Sequence, residues 1–366
     1  MRPRAATVRT VLGRAVLGRA VLGRTVLGRR TLVTRTLLAV GVVGAVAVPW
    51  LTDGYTTAVL ARVLLLGVVA VSVALLTGVA GLPTLGQTAP YAAGAYTAGY
   101  LAGHGHPVGL LGLLAAAGAG AVFALVTAPL IVYARGVLML MVTVAIGELT
   151  TVAAGRFKAV TGGSDGLAAI DAGPAVWGTP VLASDRARYL YVLVVTGVVV
   201  GVVLLVLRGP AGLLLATTRD DEARMRASGH RVTRYLCLAY VAAGTIAGIG
   251  GSLLVTAQQY ISPADFGFDV AALLLLAVVL GGSASVPGAV AGAAVVFWTR
   301  DWLAGLFPGH APLVLGTLFL VTVYLLPRGV AGLASGSPVA GAPVPARVPR
   351  QRPAAPTAPA GERSQP

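Results

Sequence analysis

Long apolar runs constrain this chain more than any other feature of its sequence. Stretches of about 20 residues with few charges recur between residues 37 and 326. A helix needs about that length to cross the hydrocarbon core of a bilayer. Only 11% of the residues are charged, whereas a soluble domain has about 25%. The sequence therefore predicts an all-α polytopic membrane protein.

The apolar runs predict about ten transmembrane helices, with a range of eight to ten. They form a transmembrane domain over residues 37–327, between a basic low-complexity tail (1–36) and a Pro-, Ala- and Arg-rich tail (328–366) that we expect to be disordered. The expected spans are Leu37–Leu51, Val59–Ala80, Leu82–Gly103, Val108–Tyr133, Gly136–Gly155, Tyr189–Leu207, Tyr235–Thr256, Val270–Val286, Ala289–Leu306 and Pro312–Leu326.

The basic residues predict the orientation of these spans. Of the 27 Lys and Arg residues, 20 lie in three places: the first 35 residues, the loop 208–234, and the stretch from residue 328 to the end. Loops rich in Lys and Arg stay on the cytoplasmic side. Six spans separate the first place from the second, and four separate the second from the third. We therefore expect both termini and the loop 208–234 in the cytoplasm, with the loop 156–188 outside the cell membrane.

The loop 208–234 is the longest highly charged segment between apolar runs, and local rules predict a short helix within it. Two interpretations are open: a solvated connection, or a docking helix for a cytoplasmic partner. The expected helix has Thr218 as its N-cap, acidic residues in its first turn, the i,i+4 pairs Asp220–Arg224 and Glu222–Arg226, and Gly229 just past its end.

The third apolar segment is irregular, which predicts a broken helix. Prolines stand at 83, 90 and 107 in and beside it. Proline interrupts helices, and irregular backbone at membrane depth occurs where it lines a cavity or is buried in protein. Gln87, Thr88 and Tyr91 are therefore candidates to line a translocation path. Polar residues that only pack helices together are the other interpretation.

Glu148 is the clearest carboxylate within an apolar run. An intramembrane carboxylate indicates either a functional site or a hydrogen-bonded structural residue, and the sequence leaves both open. Ion-coupled secondary transporters usually carry more such groups and an inverted repeat.

Glycine pairs with G-x-x-x-G spacing recur in the apolar runs and predict close helix packing. They are Gly99/Gly103, Gly197/Gly201, Gly244/Gly248 and Gly288/Gly292.

Several chemistries have no sequence support. The only lysine, Lys158, follows Phe157, so a phosphate-binding G-x-x-x-x-G-K-[ST] motif is absent. With Cys237 as the single cysteine, neither an intrachain disulfide nor a cysteine-based metal site is possible. We expect no enzymatic activity, no cofactor and no metal site. The placement of charge beside apolar spans also argues against nucleic-acid binding.

Five groups of motifs together resemble one family, the permease subunits of ABC importers for branched-chain amino acids, and most closely its larger permease. They lie within residues 60–333. The matching stretches are Gly81–Gln87 with Gly94-Ala95-Tyr96, Arg135–Thr143 with Glu148, Thr161–Leu167, Arg219–Glu222 with Ala227 and Gly229, and Ile261-Ser262-Pro263 with Leu280-Gly281-Gly282 and Gly288. The third, T-G-G-S-D-G-L, is the most specific.

The resemblance implies an assembly and assigns roles within it. The chain would pair with a second, different permease subunit, two cytoplasmic ATPases and an extracytoplasmic binding protein. Its coupling helix would be Arg219–Gly229, with ATPase contacts from Arg219, Asp220, Asp221, Glu222, Ala227 and Gly229. The translocation path would include Gln87, Thr88, Tyr91, Tyr96 and Glu148. The motif residues Thr161, Gly162, Gly163, Asp165 and Gly166 would shape the outer surface or the mouth of the path.

Two other functions remain open at this point. Permeases for urea and short amides share these motifs, so the motifs do not identify the substrate. A standalone secondary transporter or channel is the alternative from another class.

Overall fold

The computed structural model describes residues 44–104, 109–134, 136–168, 184–282 and 285–306, with isolated positions up to 320. This part of the chain is helical, and its only extended pairing is one isolated bridge between Leu167 and Ile261. The prediction of an all-α polytopic protein is confirmed. The tails and the predicted span Pro312–Leu326 lie almost wholly outside the described residues, and of Leu37–Leu51 only residues 44–51 are described, as helix.

Eleven helices are named here in chain order, and they cover most of the described residues. Their bounds are α1 Gly54–Ala74, α2 Thr88–Gly103, α3 Leu110–Tyr133, α4 Val137–Arg156, α5 Lys158–Thr161, α6 Asp185–Arg208, α7 Pro210–Asp220, α8 Glu222–Ala227, α9 Val232–Gln258, α10 Phe268–Gly281 and α11 Val286–Leu306. A π-helical stretch, Leu75–Ala80, extends α1, and 3₁₀ turns occupy Gly163–Asp165 and Pro263–Phe266.

Six helical segments in the described residues are long and apolar enough to cross a membrane. They are α1 with its π extension, α3, α4, α6, α9, and α10 with the preceding 3₁₀ turn. The 16-residue α2 is shorter than a full span, and α11 is interrupted by Arg300 and Asp301. Several predicted boundaries were wrong: α6 begins at Asp185 rather than Tyr189, and Val286 begins α11 instead of ending α10.

Local chemistry explains where these helices begin and end. The hydroxyl of Ser184 accepts a hydrogen bond from Ala187 N and caps α6, whose first and last turns carry Asp185 and Arg208 in the order that the helix dipole favours. Gly81, with φ +74°, ends the extended α1, because a residue in the left-handed region cannot continue the helix. Pro287 sits in the first turn of α11, where its missing N–H costs nothing.

The helices divide into a buried pair and a lipid-accessible group. In the most apolar 18 residues of each helix, the buried share is 78% for α1 with its extension and 72% for α9. The same share is 22% for each of α3, α4 and α6. The exposed residues of the second group are mostly Val, Leu and Met. That surface would be unstable in water, but it suits contact with lipid tails. The core of the bundle is therefore α1 and α9.

Glycines allow α9 to approach the backbones of α3 and α2 and a side chain of α1. A Cβ atom on Gly248 would overlap the carbonyl oxygen of Ala116 in α3, and one on Gly251 would overlap backbone atoms of Tyr91 and Ala95 in α2. Gly250 leaves room for the side chain of Val69 of α1, because a Cβ there would lie 2.6 Å from Val69 Cγ2. Helices in a bilayer gain little from hydrophobic burial, so close packing at small residues is a main source of their association.

The described bundle has two distinguishable ends. At the first, which we call the α7–α8 end, α6 leads into α7 and α8, and α9 begins. At the second, the bridge end, α4 and α9 finish and the Leu167–Ile261 bridge joins the segments that follow them. The start of α1 belongs to the bridge end, because a Cβ on Gly54 would lie 3.4 Å from the carboxylate of Asp185.

Replacing Gly248 tests whether this backbone contact holds the bundle. We expect Gly248→Val to destabilise the protein by about 1–3 kcal/mol, because the new side chain must push α3 away from α9. The measurement is the thermal midpoint of the full chain purified in detergent. Gly201→Val in α6 is the matched control, since a Cβ there would meet no described atom within 4 Å. Equal thermal midpoints for the two variants would contradict the packing described above.

Candidate functional site

The segment after α6 forms a sharp corner followed by a short amphipathic helix. Gly209 is extended and Pro210 is the first residue of α7, a pairing that ends one helix and starts the next. In α7, Gly212, Leu215 and Thr218 are buried. Thr218 was predicted as an N-cap, and that prediction was wrong: its hydroxyl lies within α7 and donates to Leu214 O at 2.7 Å. The helix therefore begins earlier than expected and packs on the bundle.

The predicted helix is divided at Asp221, which the sequence did not reveal. Asp221 has an extended backbone, with φ −155° and ψ 89°, and its carboxylate accepts a hydrogen bond from Arg224 N at 2.9 Å. It thereby caps α8. The predicted Asp220–Arg224 pair is replaced by Asp221–Arg224 at 3.5 Å, because Asp220 is the last residue of α7.

Two other local predictions for this helix are confirmed. Glu222 and Arg226 form the expected i,i+4 ion pair at 2.7 Å. Gly229 has φ +83° and terminates α8, with Gly229 N donating to Arg226 O and His230 N donating to Met225 O. These two bonds are those of a Schellman motif, in which the residue after the cap adopts a left-handed conformation.

The six residues of α8 project from the bundle. None of them is buried, and Ala223, Arg224, Arg226 and Ala227 are exposed. Met225 is half-buried and packs against the core of the bundle. A helix of this kind gains little stability from its own packing. Its charges and its exposed small residues make it suitable for contact with another protein.

Arg219 connects this corner to the core helix α1. Its guanidinium donates a hydrogen bond to Gly78 O in the π-helical extension of α1, and its aliphatic stem lies against Gly81. A Cβ on Gly81 would lie 2.8 Å from Arg219 Cγ. Arg219 was predicted as a contact for a partner protein, and that role stays a prediction. In the structure the side chain links α7 to α1.

The predicted break in the third apolar segment is confirmed. Residues 81–87 are not helical apart from a turn, and α2 starts only at Thr88. Leu82, Thr84, Gly86 and Gln87 of this stretch are buried, whereas Gly81 at its start is exposed. Its backbone is satisfied locally: Gly86 N donates to the Thr84 hydroxyl, and Leu85 N donates to Thr143 Oγ1 of α4.

The residues predicted to line a path lie together on and before α2. Gln87 and Thr88 are buried at its start, and the rings of Tyr91 and Tyr96 pack on Phe266 with centroid distances of 4.9 and 5.5 Å. Both atoms of the Gln87 amide and the Tyr96 hydroxyl lack hydrogen-bond partners in the described part of the chain. A buried polar group without a partner is costly, so these groups are available to a polar solute or to water.

Glu148 is bound to the start of another helix. Its Oε1 accepts a hydrogen bond from Phe268 N, the first residue of α10, at 2.9 Å. The N-terminal N–H groups of a helix lack intrahelical acceptors and attract negative charge. This hydrogen bond supports the structural interpretation of Glu148. Glu148 is also half-buried and follows Gly147, which packs on Thr88 Oγ1 at the start of α2.

The T-G-G-S-D-G-L motif forms a compact turn at the bridge end. The Thr161 hydroxyl donates to Phe157 O at 2.7 Å and accepts from Gly163 N. Gly162, Gly163 and Gly166 all have φ near +74°, which explains why glycine occupies these positions. A Cβ on Gly166 would also overlap Ile261 O.

This turn is attached to the Ile261-Ser262-Pro263 segment, the other motif at this end. Leu167 and Ile261 exchange two backbone hydrogen bonds of 2.9 and 3.0 Å, and the Tyr260 hydroxyl donates to Asp165 O. The two motifs are therefore parts of one structure. The sequence showed each of them but not that they bind each other.

A charged cluster beside this structure was missed in the sequence. Arg62 of α1 lies 3.7 Å from the carboxylate of Asp265, and both line a small cavity with Arg300 of α11 and Tyr91. Asp265 also accepts a hydrogen bond from Ser262 N. Arg62 and Arg300 lie in two different helices, and Asp265 lies in the linker between α9 and α10. A search for unpaired intramembrane charges that could neutralise each other would have raised this cluster as a candidate.

These features define a class of protein: a polytopic helical membrane protein with a broken helix against its core and a charged helix projecting from one end. The chain belongs to the family described as branched-chain amino acid transport system / permease component, whose profile matches residues 55–323. The resemblance seen in the sequence is thus confirmed.

Two relatives are similar over most of their length. They are the high-affinity branched-chain amino acid transport system permease proteins LivM of Salmonella typhimurium and of Escherichia coli. Each is 27% identical over 309 residues, which cover 78% of this chain and 72% of the relative. No solved structure matches this chain.

Substitutions of Glu148 separate its charge from its hydrogen bond. Glu148→Gln keeps an oxygen that can accept from Phe268 N, so we expect near-normal stability and transport. Glu148→Leu removes the acceptor, and we expect a loss of about 1 kcal/mol. Thermal midpoints and uptake rates check both expectations. A Gln variant that is folded but transports at under about a tenth of the normal rate would assign the charge to translocation instead.

Proposed function

We propose that this chain is the membrane-spanning permease subunit of an ABC importer for branched-chain amino acids. The observation that carries the proposal is the family match over residues 55–323, combined with an exposed helix, α8, placed between two spans. Under this proposal the chain forms the translocation path and is not itself an enzyme. A binding protein delivers the amino acid, and separate ATPase subunits supply the energy.

The absence of a phosphate-binding lysine motif supports separate ATPases. The only lysine, Lys158 of α5, follows Phe157 and not the glycine that the motif requires. We propose that α8 docks into an ATPase, with Asp221, Glu222, Ala227 and Gly229 shaping the docked helix. Arg219 then transmits movement of α7 to Gly78 of α1 through its hydrogen bond.

The proposed path runs beside α2. The unpartnered amide of Gln87 and the hydroxyl of Tyr96 offer polar contacts to a passing amino acid, and the rings of Tyr91 and Phe266 offer an apolar surface. The binding protein would dock at the bridge end, on the turn formed by Thr161–Leu167. Under this proposal both termini and the α7–α8 end are cytoplasmic, as the distribution of basic residues favours.

Reconstituted transport tests the whole proposal. The chain is assembled in proteoliposomes with the second permease, the ATPases and the binding protein of its own system. We expect uptake of leucine that requires both ATP and the binding protein and that isoleucine and valine inhibit. An ATPase without its phosphate-binding lysine is the control. Uptake of urea or short amides instead would reassign the substrate, and uptake driven by an ion gradient without ATPases would refute the proposal.

A bulky residue on α8 tests the docking role. We expect Ala227→Trp to weaken ATPase co-purification by about tenfold or more, equivalent to about 1.4 kcal/mol, because Ala227 is exposed and a large ring would block close approach. Ala168→Trp is the matched control, since Ala168 is exposed at the bridge end. Normal ATPase binding by Ala227→Trp, or equal loss in both variants, would argue against docking at α8.

A further inference from the structure

A deep apolar groove lies between α6, α7 and α9 at the α7–α8 end. Its volume is about 760 Å³, within the range of pockets that hold small molecules. The lining is almost entirely aliphatic, and the exceptions are Thr245 and the ring of Tyr235. Representative lining residues are Val199 and Val202 of α6, Leu214 of α7, and Ala242 and Ile246 of α9.

The groove is open toward the surface that faces lipid. Val198 and Val202 line it, and both are more than half exposed on α6. The lining of α6 extends from Val198 to Leu207, a helical length of about 14 Å. An occupant must therefore be apolar over most of its length and must reach the groove from the bilayer.

One end of the groove is positively charged. A shallow depression at the α6–α7 corner is lined by Arg208 and shares Leu207 and Pro210 with the groove. Arg234 directly precedes Tyr235 in the first turn of α9, and Arg231 lies three residues before Arg234. None of these three arginines has a carboxylate within 4 Å among the described residues. The first turn of α7, at the same corner, adds to the positive potential.

We propose that this groove binds an anionic phospholipid. An acyl chain occupies the aliphatic part between α6 and α9, and the phosphate group lies at the corner near Arg208 and Arg234. The shape and the charge both point to this ligand, because basic pockets between transmembrane helices select anionic headgroups. Tyrosine is also enriched at the depth of the headgroups, which suits Tyr235.

The position of the groove allows a bound lipid to restrict the movement of α7. Leu214 and Leu215 of α7 form part of its wall, and Arg219 of the same helix is bonded to Gly78. A bound acyl chain would hold α7 against α6 and α9, and so would fix the corner that carries α8. Only this regulatory consequence rests on the proposed function. Lipid binding itself does not depend on it.

Native mass spectrometry of the full chain tests the proposal, with phosphatidylglycerol and phosphatidylcholine offered in equal amounts. We expect selective retention of phosphatidylglycerol by the wild type. The double variant Arg208→Gln/Arg234→Gln should lose about 30-fold in affinity, about fivefold per arginine. Arg224→Gln, an exposed arginine on α8, is the matched control and should bind normally.

A second pair of variants tests the acyl site. Ala242→Trp fills the groove and should abolish retention of both lipids, whereas Leu205→Trp, exposed on α6 outside the lining, should not. The thermal midpoint establishes that each variant is folded. If Ala242→Trp is unfolded, the arginine variants decide the question alone.

Three results would overturn the proposal. They are equal retention of the two lipids by the wild type, unchanged retention in a folded Ala242→Trp variant, and efficient crosslinking of Ala242→Cys to a protein chain in native membranes, which would mean that a protein covers the groove. Lipid selectivity that persists when reconstituted uptake fails would leave this inference standing and would refute only the proposed function.

Discussion

The close contacts that glycines of α9 make with α1, α2 and α3 are the constraint on which the rest of the structure depends. In lipid, apolar side chains are solvated whether or not helices associate, so association relies on close packing. Gly244 and Gly248 bring α3 to backbone distance, Gly251 does the same for α2, and Gly250 leaves room for the Val69 side chain of α1. This arrangement fixes the start of α2, and with it the buried Gln87. A larger side chain in place of any of these glycines would push α9 away from the helix that the glycine contacts.

The non-helical segment before α2 connects the α7–α8 corner with the buried residues at the start of α2. Arg219 binds the last turn of the extended α1, and its stem lies against Gly81, where the non-helical segment begins. Six residues further on lies Gln87, whose amide has no described partner. Coupling between distant sites requires a contiguous set of contacts that can change together. Here the set is short, and we propose that movement at α8 reaches the path through it.

Local sequence rules predicted features that depend on neighbouring residues. The Gly229 terminus, the Glu222–Arg226 pair and the break before α2 follow from turn, charge and proline preferences. The rules misplaced the cap at Thr218, because the burial of its face of α7 is a tertiary effect.

Contacts between distant segments were not predictable in the same way. Gly197/Gly201 and Gly244/Gly248 have the same spacing, but a Cβ on the first pair would meet no described atom within 4 Å, while one on the second would overlap α3. Spacing cannot tell a helix that faces lipid from one that faces protein. The cluster of Arg62, Asp265 and Arg300 likewise comes from three separate segments, and only the fold brings it together.

The unequal strength of these contacts indicates which parts of the bundle move together. Separating α9 from α2 and α3 would open voids along interlocked backbones, at a cost of several kcal/mol. The linker between α9 and α10 is held to α1 by one ion pair, Arg62–Asp265, at 3.7 Å. Two hydrogen bonds join this region to α4, from Phe268 N to Glu148 and from the Thr151 hydroxyl to Phe266 O, and each contributes about 1 kcal/mol. Breaking these polar contacts of α10 and its linker with α1 and α4 is therefore less costly than separating α9 from α2 and α3.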